Sequence, residues 1–292
     1  MTVIVAAMGW SWQDAGVDPL TGAVSADRHD RGPSPSELAA LEYALRLAPR
    51  WDAQVIAAAV GPGEADAMLR DALAAGAAEA LRVESGGAGA GPRPADLVGG
   101  GPECAAALAA SLRQRYGVPD LVLCGDRSTD RGTGSFPAFL AAALDAEQAL
   151  GVVRMEPEDG MLRVHRRLDG GRREVLLVRR PAVVSVEAVG VRLRRAGLPA
   201  TLACEHAAIP VARAPAVATR RIRILGTHPY RPRPRELPGP SGSALHRVLE
   251  LTGALAERTP PTVLGPLTPG QAADELLQYL RRHGYLAEGD PG

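Results

Sequence analysis

The sequence predicts an α/β protein with a doubly wound, mostly parallel sheet, an antiparallel hairpin insertion and a C-terminal arm. Apolar runs of strand length alternate with alanine- and leucine-rich helical stretches over the first half of the chain. From residue 152 to residue 179 this pattern changes to short strands separated by turns. After residue 210 the chain becomes rich in proline and arginine. We therefore expect an α/β domain over residues 1–210 and an arm over residues 211–292.

The first half of the chain contains the alternating strands and helices. An apolar run from Thr2 to Met8 predicts the first strand. After a long polar connection, the serine, proline and glutamate of residues 34–37 form the pattern of a capped helix start. Strands and helices that alternate at this spacing form parallel sheets with right-handed crossovers. The next strand, helix, strand and helix are predicted over residues 51–60, 64–75, 80–83 and 103–116.

The stretch from Asp120 to Leu140 carries the clearest functional signal. A short apolar strand over residues 121–124 stops at Gly125, and a polar, glycine-containing loop leads to a helix that starts at Phe136. Free backbone N–H groups and the helix dipole favour an anion at such a junction. The alternative is an ordinary strand-to-helix turn whose glycines allow close packing, because Pro137 stands where a dinucleotide motif has its third glycine. Both interpretations stay open on these residues alone.

The second half of the chain predicts hairpins followed by one returning strand. Apolar segments over residues 152–155, 162–168 and 174–178 are separated by Asp-Gly turns, which is typical of antiparallel hairpins. Residues 181–187 predict a further strand that rejoins the sheet. From Val211 the chain is predicted to be extended, and the last 25 or so residues contain an amphipathic helix.

Composition excludes several classes of protein. The 33 basic and 33 acidic residues cancel, so no net charge favours nucleic acid or an anionic membrane. Every basic residue is arginine, which excludes a Walker lysine and a Schiff-base lysine. The 3 cysteines have no C-x-x-C spacing and the histidines have no ligand spacing, so we expect no metal site. Without a signal peptide or a run of ~18 apolar residues, we expect a cytoplasmic protein.

Segments in this order resemble the beta subunit of the electron transfer flavoproteins, over nearly the whole chain. Residues 60–62 and 72–77 are similar to the family's C-G-P and A-L-A-x-G-A signatures. The loop over residues 125–135 resembles G-K-Q-A-I-D…T-G-Q, the most diagnostic segment of the family. Residues 168–171 and 181–186 resemble its hairpin and the strand after it. The finer resemblance is to a divergent actinobacterial branch, such as the one associated with mycofactocin systems.

The resemblance implies a fold similar to that of the adenine nucleotide alpha hydrolases and a role as an electron carrier without catalytic residues of its own. In the family the beta subunit pairs with an alpha subunit, FAD lies largely in alpha near the interface, and beta buries an AMP. The heterodimer carries electrons from a dehydrogenase to a downstream acceptor. Carried over by position, the nucleotide contacts are Ala6, Ser34, Pro35, Ser36, Glu37, Val60, Gly125, Asp126, Arg127, Ser128, Thr129, Asp130, Arg131, Gly132 and Thr133.

The chain departs from the family pattern at both sites that the resemblance assigns. Met8 replaces a basic residue after the first strand, and the acidic cluster of the loop shrinks to Asp130. The nucleotide site therefore holds AMP, a second FAD or neither. Leu198 and Pro199 look like the start of the family's partner-recognition loop, so Leu198 is expected to dock the donor dehydrogenase. The lysines of that loop are absent from residues 204–208, and the redox partner should therefore differ.

Two other function classes remain open at this point. One is an adenine-nucleotide-binding regulatory or sensor domain without a redox role, which would not need the hairpins or the arm. The other is an adenine-nucleotide hydrolase, although no paired-carboxylate, Ser-His-Asp or H-E-x-x-H pattern is present. Turnover of ATP by the purified chain separates a hydrolase from an electron carrier.

Overall fold

The structure is a computed structural model that describes residues 2–13, 16–18, 20–21, 24–25, 31–85, 101–129, 132–214, 242–253 and 263–286. The chain divides into two compact units, Met1–Arg231 and Pro232–Gly292. Residues 86–100 and residues 215–241, which belong to the proline- and arginine-rich stretch, lie outside the described residues.

Within the described part of the first unit, a nine-stranded sheet forms the centre. Its strands are β1 (Thr2–Met8), β2 (Ala53–Val60), β3 (Glu79–Ser85), β4 (Leu121–Gly125), β5 (Glu147–Glu158), β6 (Met161–Arg167), β7 (Arg173–Val178), β8 (Ala182–Val186) and β9 (Val211–Ala214). They lie in the order β7-β6-β5-β8-β4-β1-β2-β3-β9. The neighbours from β5 to β9 in this order are parallel, whereas β6 pairs antiparallel with β5 and with β7. The predicted mostly parallel sheet with an antiparallel hairpin is confirmed.

Helices cover both faces of the sheet. The helices of the first unit are α1 (Pro35–Trp51), α2 (Asp66–Ala75), α3 (Gly101–Tyr116), α4 (Phe136–Leu144) and α5 (Leu198–Cys204). Successive residues of β1 point to opposite faces, so Ile4 packs with α1 and α2 while Val5 packs with α3 and α4. Because both faces are buried, the central strands are continuous apolar runs, which is why the sequence predicted them well.

The order of the strands creates a switch point between β1 and β4. From β1 the chain passes through α1, β2, α2 and β3 in one direction along the sheet, whereas β4 lies on the other side of β1. The connections that leave the carboxyl ends of these two neighbouring strands therefore diverge to opposite faces. In open α/β sheets this divergence leaves a crevice that binds ligands.

Strand β5 begins earlier than the sequence predicted, at Glu147 rather than near Val152. Its first residues pair parallel with β8, and the residues from Val152 onward pair antiparallel with β6. The change of partner occurs around Gly151, which has a φ of 70° and whose amide donates to the hydroxyl of Ser185 at 3.0 Å. The start of β5 could not be predicted from the sequence because Glu147 is polar and exposed, and its pairing partner lies more than thirty residues away.

After Val211 the chain begins extended, as predicted, but one later segment differs from that expectation. Residues 211–214 form β9, the edge strand beside β3. In the second unit, Ala244–Leu251 form a helix, α6, that the sequence did not predict because its apolar spacing lasts for only two turns. The predicted C-terminal helix is present as α7 (Pro269–Arg282), which starts at a capping box of Thr268 and Gln271. No helix among the described residues is long and apolar enough to cross a membrane.

Candidate functional site

A cleft of about 160 Å³ opens at the carboxyl ends of β1, β2 and β4, at the switch point of the sheet. Strand ends, the start of α1, the loop after β4 and the first turn of α4 surround it, and α3 contributes one wall. The lining residues are Ala7, Met8, Gly9, Trp10, Ser11, Glu37, Val60, Gly101, Cys104, Leu108, Cys124, Gly125, Arg127, Ser128, Thr133, Gly134, Ser135, Phe136 and Pro137.

The amino end of α1 forms a rigid support beside the cleft. The backbone amide of Ser34 donates to the Glu37 carboxylate at 2.6 Å, and the amide of Glu37 donates to the Ser34 hydroxyl at 3.3 Å. These two bonds form the capping box that residues 34–37 predicted. The hydroxyl of Ser36 lies 3.0 Å from that of Ser34 and donates to the carbonyl of Arg127 at 3.4 Å. The helix start therefore also holds the loop that follows β4.

Glycine is required where the strands meet this helix start. A Cβ at Gly125 would lie 2.6 Å from the hydroxyl oxygen of Ser36 and 3.0 Å from the backbone nitrogen of Glu37. A Cβ at Gly9 would lie 2.4 Å from a carboxylate oxygen of Glu37. Contacts under 3.0 Å essentially never occur in folded proteins, so a glycine at the end of β4 and one just after β1 let the backbone pass close to α1.

The loop between β4 and α4 curves so that a helix start faces the cleft. The amide of Gly132 donates to the carbonyl of Ser128 at 3.1 Å, and Gly134 has a φ of 61°. Ser135 precedes α4 without a side-chain cap, and the second helical residue, Pro137, has no N–H group. Among the described residues Ser135 does not cap the helix, so the first-turn amides other than position 137, together with the positive end of the helix dipole, can meet an anion.

Among the described residues, the lining of the cleft includes one acidic and one basic side chain together with hydroxyl and apolar groups. Glu37 is buried and offers acceptor oxygens, whereas Arg127 is exposed and offers a guanidinium donor. Burial, and after it the nearby Glu37 carboxylate, raises the pKa of the Cys124 thiol. This thiol therefore stays protonated, and a protonated thiol is a poor nucleophile. The cleft can bind a molecule that carries both an anion and hydrogen-bond donors, but it has no activated nucleophile at Cys124.

The structure brings part of the predicted nucleotide set to the cleft. Glu37, Val60, Gly125, Arg127, Ser128 and Thr133 line it. Ser34 and Ser36 do not line the cleft, and their hydroxyls are hydrogen bonded to each other beside it. Ala6 is fully buried in the sheet. Pro35 starts α1, and Asp126, Thr129 and Gly132 belong to the loop without lining the cleft. Asp130 and Arg131 lie outside the described residues.

Sequence reasoning missed one strand end and one helix. Residues 9–11 line the cleft beside Met8, which the sequence analysis had already noted, because β1 ends at the same sheet edge as β4. Gly101, Cys104 and Leu108 line it from α3. The sequence did not indicate that these three residues line a site, because alanine and leucine in this helix form an ordinary packing pattern. Ser11 also joins the loop, since its hydroxyl lies 3.0 Å from that of Thr129.

Leu198 lies in the first turn of a helix rather than in a loop. Gly197 precedes α5, and Pro199 follows Leu198 within the first helical turn. The sequence prediction of a loop was wrong because proline and alanine at this position suit a helix start equally well. The side chain of Leu198 is 70% exposed, and that of Leu202, one turn later, is also exposed. The predicted docking residue therefore stands on a surface helix and is accessible.

The fold and the cleft together define a class of protein. It is a doubly wound α/β protein with a crevice at the switch point of its sheet, where an anion can bind. Residues 21–217 match the family profile described as "Electron transfer flavoprotein domain". The chain is 32% identical over 274 residues to the electron transfer flavoprotein subunit beta of Chromohalobacter salexigens, covering 91% of each chain. This chain therefore belongs to the electron transfer flavoprotein family, as a beta subunit.

Two further relatives are similar over a shorter stretch. The human electron transfer flavoprotein subunit beta is 33% identical over 149 residues, which are 51% of this chain and 55% of the human one. The protein FixA of Rhizobium meliloti is 30% identical over 174 residues, which are 58% of this chain and 57% of that protein.

Proposed function

We propose that this chain is the beta half of a heterodimer that carries electrons from a dehydrogenase to a downstream acceptor in the cytoplasm. An alpha subunit is its partner, and FAD lies at the interface between the two. The FAD supplies the redox chemistry, while this chain contributes binding, shape and a docking surface. The observation that carries the proposal is the match to the beta subunit of Chromohalobacter salexigens over 91% of the chain.

The cleft is proposed to hold an AMP. Its loop supports a phosphate in three ways: the open amino end of α4, the guanidinium of Arg127 and the hydroxyls of Ser128 and Thr133. The Glu37 carboxylate can accept hydrogen bonds from hydroxyl or amino groups at the other parts of a nucleotide. Glycine at position 125 lets the backbone come close to α1, which places the loop and the helix start next to each other. The nucleotide would then join these two elements and stabilise the fold without taking part in the redox reaction.

Co-expression with the alpha subunit tests the proposal. We expect the purified complex to be yellow and this chain alone to be nearly colourless, because FAD lies largely in alpha. Mass spectrometry of the small molecules released from the complex should find FAD and AMP in equal amounts. Stoichiometric flavin on the isolated chain would instead place a second FAD in the cleft. A complex without flavin that hydrolyses ATP would contradict the carrier role altogether.

Leu198 is proposed to be the contact for the donor dehydrogenase. We expect Leu198→Ala to slow reduction of the bound flavin by the donor about tenfold or more, because an exposed leucine that fills a partner pocket contributes about 2 kcal/mol. Stopped-flow absorbance at the flavin band measures this rate, with the dehydrogenase that reduces the wild-type complex as donor.

Two controls isolate the docking step. Flavin content and reduction by dithionite should stay unchanged, since neither requires docking. Val118→Ala truncates an exposed apolar side chain in the turn before β4 and should leave the rate at its wild-type value. A wild-type rate for Leu198→Ala would remove the docking role of this residue.

A further inference from the structure

A buried carboxylate in α1 holds the chain segment that leads to α5. The Glu42 side chain is 5% exposed, and it accepts hydrogen bonds from Arg194 through the backbone amide at 3.1 Å and through Nε at 2.8 Å. Arg46, one turn along α1, donates to the same carboxylate at 2.6 Å. A second guanidinium nitrogen of Arg46 donates to the carbonyl of Arg192 at 2.7 Å. One carboxylate and two arginines thus join α1 to residues 192–194; we name this set the Glu42 clamp.

The carboxylate of the clamp is ionised at neutral pH. Burial by itself raises the pKa of Glu42, but the hydrogen bonds from Arg194 and Arg46 outweigh it and hold the pKa below its usual value. Removal of Arg194 would leave the Glu42 carboxylate, which is out of water, with one ion-pair partner fewer. Breaking a buried pair from one side is costly for this reason. The clamp therefore depends on the presence of all three of its side chains.

Packing alone does not fix the segment that the clamp holds. A cavity of about 250 Å³ lies between α1, α2 and residues 193–196, with Leu45, Met68 and Leu193 among its walls. Glu42 and Arg194 also form part of its wall. Since side chains do not fill this space, apolar contacts below the segment are incomplete. The polar bonds of the clamp therefore add to the packing of Val191 on the core in defining where residues 192–194 lie.

The helix α5 follows this segment directly and is held again at its far end. It begins at Leu198, four residues after Arg194, and the guanidinium of Arg70 in α2 donates to the carbonyl of Ala207 at 3.0 Å. The described residues of α5 are exposed or half-buried, and none of them belongs to the hydrophobic core. The position of the helix is therefore set by its packing against α2 and by the contacts at its two ends.

We propose that Glu42 is a positioning residue that sets the place of α5 on the surface and so presents Leu198 to the redox partner. Glu42 does not touch the partner; it acts through Arg194 and Arg46. The link to the partner rests on the proposed docking role of Leu198, whereas the clamp itself concerns only the geometry of residues 192–204. An experiment can therefore reject the docking role of Leu198 and still support the clamp, or the reverse.

The test measures amide hydrogen exchange in the co-expressed complex. Glu42→Gln keeps the shape of the side chain and removes its charge. We expect exchange in peptides covering residues 192–204 to become about tenfold faster, which corresponds to about 1.4 kcal/mol, while the strands keep wild-type rates. Arg194→Gln should give the same local increase once intrinsic exchange rates are corrected. The double variant should be no faster than either single one, because both changes open the same clamp.

Matched controls decide between a local and a general effect. Glu79→Gln removes the charge of a half-exposed ion pair with Arg115 and should leave residues 192–204 unchanged. If Glu42→Gln unfolds the whole chain, Arg194→Gln decides, because its side chain is 40% exposed and less tightly packed. Wild-type exchange over residues 192–204 in Arg194→Gln, or additive effects in the double variant, would overturn the clamp. Faster local exchange together with a wild-type electron-transfer rate for Leu198→Ala would retain the clamp and reject the docking role.

Discussion

Gly125→Ala is expected to destabilise the protein by about 3 kcal/mol, which lowers the melting temperature by roughly 6–12 °C for a unit of this size. The added methyl would lie 2.6 Å from the Ser36 hydroxyl and 3.0 Å from the Glu37 amide. The amide belongs to the backbone of α1, so the strand and the helix must separate rather than a side chain rotate. That movement also strains the capping box, whose loss costs about 0.5–2 kcal/mol. Thermal unfolding followed by circular dichroism measures the shift.

The same substitution should empty the cleft. Separation of β4 from α1 moves the Arg127 loop, because Ser36 and Arg127 are hydrogen bonded to each other. We therefore expect mass spectrometry to find no AMP in the variant under conditions where the wild-type complex releases it. Gly63→Ala is the matched control, since no atom lies within 4 Å of an added Cβ there and the residue precedes α2 in a short 3₁₀ turn. A wild-type melting temperature for Gly125→Ala would contradict the tight contact.

The sequence predicted those parts of the fold that depend on local pattern. The buried strand over Thr2–Met8 has the predicted bounds, and α4 starts at Phe136 as predicted. The start of α1 was predicted because the serine, the proline and the glutamate that cap it are neighbours in the chain. In each case the information lies within about ten residues. Local chemistry is sufficient for elements of this kind.

The parts that the sequence did not predict depend on contacts between distant residues. Glu147 and Gln148 extend β5 because they pair with β8, although nothing in their own composition favours a strand. In the cleft, Cys104 comes from a helix whose alanine-rich sequence is typical of packing alone. The Glu42 clamp joins residues 152 positions apart, and neither residue stands in a recognisable motif. Tertiary contacts of this kind are visible only in the folded chain.

Leu276→Glu is expected to weaken binding of the alpha subunit by at least about 30-fold, or about 2 kcal/mol. Leu276 and Tyr279 lie on the same side of α7, and their side chains are 59% and 53% exposed. The capping box of Thr268 and Gln271 fixes the start of this helix, so its apolar side is preformed. Exposed apolar residues on one side of a helix indicate a partner surface, and we propose that the C-terminal arm over residues 211–292 packs on the alpha subunit through this side. The carboxylate of Leu276→Glu, in the centre of that surface, would lose its bound water on association without gaining an ion-pair or hydrogen-bond partner.

Gln278→Glu is the control for the effect of charge alone. Residues two positions apart in an α-helix point about 200° away from each other, so Gln278 lies opposite Leu276. Both variants add the same carboxylate to α7 and change the net charge equally. Titration of alpha with each variant, followed by flavin fluorescence, should separate them: Gln278→Glu keeps the wild-type affinity and Leu276→Glu does not. Equal affinities would mean that the apolar side of α7 does not contact alpha. Any contact between the arm and alpha would then involve other residues.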